Sequence, residues 1–254
     1  MKRNLKILMF LLLVVFLSSG NVSAEIIDDN YIGSDDNGYG DVIQSSNTNV
    51  FQIDNMDVTF SGGFMNVKIN TNFKESTSDT RDFPTYGSKY GDLFISTDGW
   101  SPSGSSSDGY KIDNYTNGED WEFVFDTSDG ILYQLPAYTD SNISNYILFP
   151  ENIWPTNFIY RNGQEVLYKA NGNSIADDST VDLSNAGDGG YLLYKIELAS
   201  LGEYGDIIGL KWSQDCGNDS IEGGASVPEP TPMLLLGAAL VGLAGIGRRK
   251  FFKN

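Results

Sequence analysis

Carboxylates are the side chains of this chain best able to do chemistry, because its 254 residues include no histidine and only one cysteine. Without histidine the chain lacks the usual general base at neutral pH, the Ser-His and Cys-His nucleophile pairs and the commonest zinc ligand. Two carboxylates about 5 to 10 Å apart can hydrolyse a glycosidic bond. Four carboxylates that could supply such a pair surround Trp121, although in so acidic a chain such a cluster also arises by chance. They are Glu119, Asp120, Glu122 and Asp126. On a strand the last three would share one face and Glu119 would lie on the other.

Calcium is the one cofactor that the sequence suggests. Ca²⁺ is bound by carboxylate, amide and backbone oxygens, and residues 113–120 place such oxygens around a glycine, as residues 35–41 do more loosely. Neither segment has the spacing of an EF-hand loop, and Asn, Asp and Gly are also the ordinary residues of turns. A turn without metal is therefore the alternative. The predicted ligands are Asp113, Asn117, Glu119 and Asp120.

Residues 1–24 have the pattern of a secretory signal peptide. Basic residues precede the apolar segment 7–17, and small residues occupy 22–24, the positions that a signal peptidase reads. The apolar segment is too short to be a comfortable transmembrane helix. We predict cleavage between Ala24 and Glu25, which makes signal peptidase a partner during export.

The C-terminal residues 227–254 form a second targeting segment. Its proline-rich start is Pro228, Glu229 and Pro230, and its basic end is Arg248, Arg249 and Lys250. The apolar run 233–247 between them would be about 22 Å long as a helix, at ~1.5 Å per residue, against ~30 Å for a bilayer core. We predict a short transmembrane helix with its basic end in the cytoplasm and the preceding residues outside it.

In this order, at the extreme C-terminus, the three parts resemble the PEP-CTERM sorting signal, which a membrane protease called exosortase handles. The resemblance covers residues 227–254. It implies exosortase as a partner, transit through the inner membrane, and a final place in the cell envelope, at the cell surface or in the extracellular matrix. A C-terminal anchor that stays in place is the alternative.

The ectodomain 25–226 is long enough for one domain with a substantial core. Of the 16 basic and 34 acidic residues of the chain, seven basic residues and one acidic residue lie in the targeting segments. The ectodomain therefore carries nine basic and 33 acidic residues, a net charge of −24. Such a charge argues against nucleic-acid binding and attracts divalent cations, or it serves only to keep the exported domain soluble.

Short alternating runs with Gly, Asn and Asp between them predict an all-β ectodomain, a single β-sandwich of jelly-roll kind. Residues 25–49 suggest a disordered arm or a loosely held first strand. Asp54-Asn55 and Gly62-Gly63 predict hairpin turns. The expected strands are 50–53, 58–60, 64–69, 92–96, 121–126, 131–135, 157–160, 165–169, 191–198 and 207–212.

Aromatic and aliphatic residues of these runs are expected in the core. They are Phe94, Phe123, Phe125, Tyr133, Leu193 and Ile196. Trp100 and Trp154 lie instead in turn-rich segments, where a ring can stack on a sugar or plug the end of the sandwich. We favour the plug.

Several ectodomain segments resemble a group of exosortase-associated exported proteins. They are 91–100, 121–128, 132–133, 160–168 and 209–223. In that group a Trp followed by Cys-Gly-Asn-Asp and Ile-x-Gly closes the domain, as residues 212–223 do here, with Cys216 in the Cys-Gly-Asn-Asp segment. The residue before that Trp is often His but is Lys211 in this chain. The resemblance implies a surface protein, no known biochemical activity, and no chemistry that depends on that His.

These observations predict a non-catalytic exported protein with a structural or exopolysaccharide-associated role. The alternative is a carbohydrate-active enzyme, or a lectin-like glycan-binding module, that uses Glu119, Asp120 or Glu122.

Overall fold

A computed structural model describes residues 23–33, 51–75, 89–137, 147–148, 164–169, 172–187, 189–215 and 217–228. Within them thirteen strands form: β1 Ser23–Asp28, β2 Ile53–Ser61, β3 Phe64–Thr71, β4 Leu93–Ser96, β5 Phe123–Asp126, β6 Ile131–Gln134, β7 Ile147–Leu148, β8 Leu167–Tyr168, β9 Asn173–Ile175, β10 Thr180–Asp182, β11 Gly190–Glu197, β12 Ile207–Ser213 and β13 Ser220–Ser226. Two short 3₁₀ turns, Ser106–Asp108 and Leu198–Leu201, accompany them. No helix in these ranges is long and apolar enough to cross a membrane, and the expected helix 233–247 lies outside them.

Two antiparallel sheets make up the domain. The first has the strand order β1-β2-β3-β11-β10 and the second β13-β12-β4-β5-β6-β9, while β7 and β8 pair separately. The hairpins β2-β3 and β12-β13 and the meander β4-β5-β6 each stay within one sheet. Apolar side chains from both sheets join in one buried cluster, so the predicted β-sandwich is confirmed.

The β2-β3 hairpin shows one correct turn prediction and one wrong one. Gly62 and Gly63 connect the strands with φ of 60° and 85°, the left-handed conformation that tight two-residue hairpins need and that glycine adopts freely. The predicted turn at Asp54-Asn55 is instead an irregularity within β2, where the register shifts between Ile53 and Asn55. Asn55 stays on the sheet because its Oδ1 accepts a hydrogen bond at 2.6 Å from Asn70 of β3.

The core between the sheets follows the two-residue alternation of strands. In β11 the inward side chains are Leu192, Tyr194 and Ile196. Leu193 has the opposite parity and is only half-buried, so its expected core position is wrong. The other five predicted core residues are buried: Phe94, Phe123, Phe125, Tyr133 and Ile196.

The outer face of the six-stranded sheet is buried as well. In β4 and β5 every residue is buried, because Phe94 and Val124 face away from the main core into a second cluster. Loop and segment residues cover this face, namely Trp121, Leu135 and Tyr168, with Tyr115 at the margin. The sheet therefore has a layer of loops on its outer side, and that layer positions the polar groups described below.

The N-terminal segment belongs to the domain. Of the two alternatives for residues 25–33, the first strand is correct and the disordered arm is wrong. β1 is the edge strand beside β2, Ile27 joins the core, and Tyr31 is 1% exposed. The backbone N–H of Ser226 donates a hydrogen bond to Glu25 Oε2 at 2.7 Å, so the predicted first residue of the mature chain contacts the last strand. Residues 34–50 lie outside the described part of the chain.

Candidate functional site

Lys211 lies in the middle of β12, between two residues that face the core. Leu210 and Trp212 point into the sandwich, so Lys211 points to the outer side of the sheet, with Phe94 and Glu222 as its cross-strand neighbours. The loop layer covers it, and only 1% of the residue is exposed. The residue before Trp212 is thus a buried lysine.

Four buried side chains surround the Lys211 ammonium. Its Nζ lies 3.1 Å from an oxygen of Glu165 and 3.1 Å from an oxygen of Glu222. It also donates a hydrogen bond to Oε1 of Gln164 and lies 5.3 Å from the centre of the Tyr31 ring. We call these five residues the lysine cluster.

Asp113 extends the lysine cluster into the loop layer. The Tyr31 hydroxyl donates to Asp113 Oδ2 at 2.6 Å and lies 3.0 Å from Gln164 Oε1. Gln164 Nε2 donates to the Asp113 backbone oxygen at 3.0 Å, and Ser103 N donates to Asp113 Oδ1 at 2.6 Å. This predicted calcium ligand therefore has both carboxylate oxygens in hydrogen bonds within the protein.

The lysine cluster holds more potential negative charge than positive charge, since one ammonium faces the carboxyl groups of Glu165, Glu222 and Asp113. Burial raises the pKa of Glu222 to about 7, and repulsion from Asp113 and Glu165 opposes the attraction of Lys211. Burial acts to lower the pKa of Lys211, but Glu222, Glu165 and Asp113 outweigh it and raise that pKa above its usual value. Burial therefore favours the neutral form of Glu222, whereas the carboxylates favour the charged form of Lys211.

Trp100 covers the lysine cluster from the loop side. Its indole Nε1 donates to Glu222 Oε1 at 3.0 Å. The loop can approach because Gly209 and Gly224, which are paired across β12 and β13, lack side chains. A Cβ on Gly209 would lie 2.3 Å from the Gly99 oxygen. A Cβ on Gly224 would lie 3.2 Å from Trp100 Cβ. Trp100 thus packs on the outer side of the six-stranded sheet and not in the end of the sandwich, where the plug interpretation placed it. Trp154 lies outside the described residues.

Tyr110 supports the same cover. Its ring meets Trp100 edge to face with 5.4 Å between ring centres, and it stacks on Tyr31 at 6.2 Å. Its φ is 58°, the one positive value among the non-glycine residues that the structure describes. A bulky residue rarely adopts this conformation, and it persists only where its surroundings impose it.

The predicted acid pair holds a loop in place. Glu119 accepts hydrogen bonds from Ser101 N at 2.5 Å and from Ser96 Oγ at 3.2 Å, and Glu122 accepts one from Thr97 N at 2.7 Å. Burial raises the pKa of Glu119 to about 7 and raises that of Glu122.

The other two members of the acidic cluster lie apart from this arrangement. Asp126 accepts from Ser128 N at 2.8 Å in the turn after β5, and Asp120 is exposed. The structure therefore does not combine the four carboxylates into one site.

The predicted calcium ligands also point in different directions. Asn117 is exposed, and its Oδ1 accepts from Asn114 N at 2.9 Å, whereas Asp113 and Glu119 face the interior. Across the ranges given above, no group of three or more Cys, Asp or Glu side chains is placed to hold a metal ion. Calcium binding stays a prediction that this geometry does not favour.

The Cys-Gly-Asn-Asp segment connects the two sheets. Asp219 Oδ2 accepts from Ile53 N at 2.6 Å, and Gln214 donates to the Phe51 oxygen at 2.7 Å while it accepts from Asp219 N at 2.9 Å. The turn between β12 and β13 thereby fixes the start of β2. Cys216 itself lies outside the described residues.

Sequence reasoning did not assign a role to four members of the lysine cluster: Tyr31, Gln164, Glu165 and Glu222. β13 was also not expected as a strand, because Gly223 and Gly224 interrupt its apolar pattern. The available signal was Lys211, a charged residue between apolar residues of a strong strand pattern.

Comparison with known proteins identifies the C-terminal segment. Residues 226–250 match the PEP-CTERM protein-sorting motif. The match begins at Ser226, the last residue of β13. No curated protein and no solved structure matches the chain. The chain therefore carries, after its β-sandwich, the sorting motif that exosortase-processed exported proteins have, and this confirms the resemblance of the tail. Of the sorting residues the structure describes only Pro228; Glu229, Pro230 and the basic end lie outside it.

Proposed function

We propose that the protein is a non-catalytic component of the cell envelope or extracellular matrix with a structural or exopolysaccharide-associated role. One observation carries the proposal: a sorting motif directly follows the last strand of a domain whose candidate acid pair is engaged in holding its own loop. Signal peptidase and exosortase would process the two ends, and the segment 233–247 would hold the protein in the inner membrane during transit.

The arrangement of the carboxylates supports a role without catalysis. A general acid or base must come within hydrogen-bond reach of the group that reacts. Glu119 and Glu122 accept bonds from the backbone of residues 97–101, so a glycosidase mechanism would require that loop to release them.

The charge of the ectodomain indicates the type of polymer. A net charge of −24 repels polyanions and attracts cationic polymers over a range that salt shortens, and it does not repel neutral polymers. We propose that the matrix partner is a neutral or amine-bearing polysaccharide.

The experiment incubates the exported protein with a panel of polysaccharides and measures both co-sedimentation and reducing ends. We expect retention on a neutral or amine-bearing polymer without release of reducing ends. The matched variant is Glu122→Gln, with Glu203→Gln as a control at an exposed site. Reducing ends released by the wild type and by Glu203→Gln but not by Glu122→Gln would establish the enzyme instead.

A further inference from the structure

The contact between Lys211 and Gln164 is the feature of the lysine cluster that the proposed function does not use. A fully buried lysine is rare. Here Nζ contacts the side-chain amide oxygen of Gln164, which is itself 0% exposed. The amide carbon is one C=O bond, about 1.23 Å, beyond that oxygen. An amine and an amide are thus held together in a site without solvent access.

The two groups can react if a proton moves away from the amine. The neighbouring carboxylates raise the pKa of Lys211, so the neutral amine is the minor form. It arises when the ammonium proton moves to a neighbouring carboxylate, a transfer that removes two buried charges. Two carboxylates are in place to receive it, those of Glu165 and Glu222, each 3.1 Å from Nζ. Fixed geometry of this kind replaces the entropy cost of bringing two reactants together.

We propose that Lys211 and Gln164 form an intramolecular isopeptide bond. Nζ of Lys211 attacks Cδ of Gln164, the new C–N bond forms, and the bond from Cδ to Nε2 breaks. One carboxylate keeps the proton whose removal gave the neutral amine. The attacking Nζ gives a second proton to the other carboxylate, which passes it to the leaving Nε2, and ammonia departs. The reaction needs no oxidant, reductant or co-reactant.

The other members of the network have positions that suit this reaction. The Tyr31 hydroxyl donates to Asp113 but lies 3.0 Å from Oε1, so its O–H can turn to the oxygen on which negative charge develops. The Asp113 backbone oxygen accepts from Nε2 at 3.0 Å and so orients the leaving group. The pKa of Glu222, raised to about 7 by burial, suits a group that both accepts and returns a proton near neutral pH.

A cross-link here would tie the segment 164–169 to the central part of β12. The two residues are 47 positions apart in the chain, so the bond would close a long loop, as a disulfide does when it restricts the unfolded chain. A chain with one cysteine cannot form a disulfide within itself. The isopeptide bond would supply that restraint by other chemistry.

Peptide mapping of the full exported protein tests the proposal. The protein is denatured and digested with trypsin, and its peptides are weighed. We expect no cleavage after Lys211 and a branched peptide that joins the Lys211 and Gln164 peptides, lighter than their sum by about 17 Da, the mass of ammonia. Lys195, whose ammonium lies over the Phe64 ring, is the internal control and should be cleaved normally.

Variants identify the reacting groups. Gln164→Ala and Lys211→Arg should both give linear peptides only, and at least one of Glu222→Gln and Glu165→Gln should slow the linkage strongly while circular dichroism shows a folded protein. Separate, unmodified Lys211 and Gln164 peptides from the folded wild type would overturn the proposal, and so would a branched peptide that persists in Gln164→Ala.

Discussion

At the scale of single residues, the environment of Lys211 makes its charge hard to remove. Lys211→Met would leave Glu165 and Glu222 buried without their cation. In a chain whose Lys211 is still an ammonium, breaking a buried pair in this way costs about 3 to 5 kcal/mol. We expect the free energy of unfolding of that form to fall by about this range in urea titrations. In a cross-linked chain, where Lys211 is a neutral amide, the variant removes the cross-link instead.

Lys68→Met is the matched control for Lys211→Met. Lys68 forms a 3.4 Å ion pair with Asp57 on the exposed side of β3, where such pairs contribute up to about 1 kcal/mol. Equal losses in the two variants would show that Lys211 is not held as we describe.

Buried carboxyl groups predict how stability depends on pH. Burial raises the pKa values of Asp92, Glu119 and Glu222 to about 7 in each case, above the values of about 4 of an unfolded chain. Between these pH values the three groups bind more protons in the folded state than in the unfolded chain. Their contribution to the free energy of unfolding is therefore fully present below about pH 4.5 and is lost as pH rises through 7. The effect is on the order of a few kcal/mol.

Urea midpoints measured from pH 5 to pH 8 test this expectation, and they should fall as pH rises. Repulsion within the acidic surface contributes in the same direction, so the series is repeated in ~1 M salt, where the screening length is about 3 Å. A midpoint that rises from pH 5 to pH 8 in high salt would contradict the pKa values of the three buried groups.

The types of residue in the sequence predicted only part of the lysine cluster. The absence of histidine and the cysteine count excluded whole classes of chemistry, and Lys211 stood out by resemblance. The partners of Lys211 could not be found, because Tyr31, Gln164 and Glu165 come from distant parts of the chain and meet only when loops cover the outer face of the sheet. Local patterns carry no information on such long-range packing.

At the scale of elements, the pair Gly209 and Gly224 allows the Trp100 loop to lie on β12 and β13. A Cβ at residue 209 would lie 2.3 Å from the backbone oxygen of Gly99, so Gly209→Ala must push the loop away. We expect a loss of about 1 to 3 kcal/mol, the usual cost of overpacking, and a change in tryptophan fluorescence as the indole loses its bond to Glu222.

Gly205→Ala is the matched control for Gly209→Ala, because the nearest atom to its Cβ would be 3.7 Å away. Its stability and fluorescence should remain close to those of the wild type. If Gly209→Ala behaves in the same way, the Trp100 loop is not a close-packed cover.

The strands themselves were largely predictable, since alternation and glycine turns are local signals. The β2-β3 hairpin followed from Gly62-Gly63, and β11 and β12 from their alternating runs. The prediction failed where polar residues stay in a strand through side-chain bonds to a neighbour, as at Asn55, and where glycines make room for a loop, as at Gly224. Both depend on a partner that is remote in sequence.

At the scale of the whole molecule, the folded domain continues up to the sorting motif. Val227 N donates to the Asp206 oxygen at 2.8 Å, and Pro228 follows at once. The residues 228–232 therefore separate the last backbone hydrogen bond from the apolar run at 233, and even fully extended they reach at most about 18 Å, at ~3.6 Å per residue. Processing must take place close to the domain or within the membrane.

We predict that a host with exosortase removes the tail and leaves a mature C-terminus between Val227 and Met233. Pro228, Pro230 and Pro232 lack backbone N–H groups and cannot continue the β-ladder, so the segment that follows β13 remains available to a protease. An apolar run of 15 residues would also be marginal as a permanent transmembrane anchor. Mass spectrometry of the C-terminal peptide of the mature protein measures this.

The matched pair for the sorting prediction is Glu229→Ala and Thr231→Ala. Loss of maturation is expected only for Glu229→Ala, since Glu229 lies between the two prolines of the motif and Thr231 lies after them. Recovery of residues 251–254 on most of the wild-type protein would show a retained anchor.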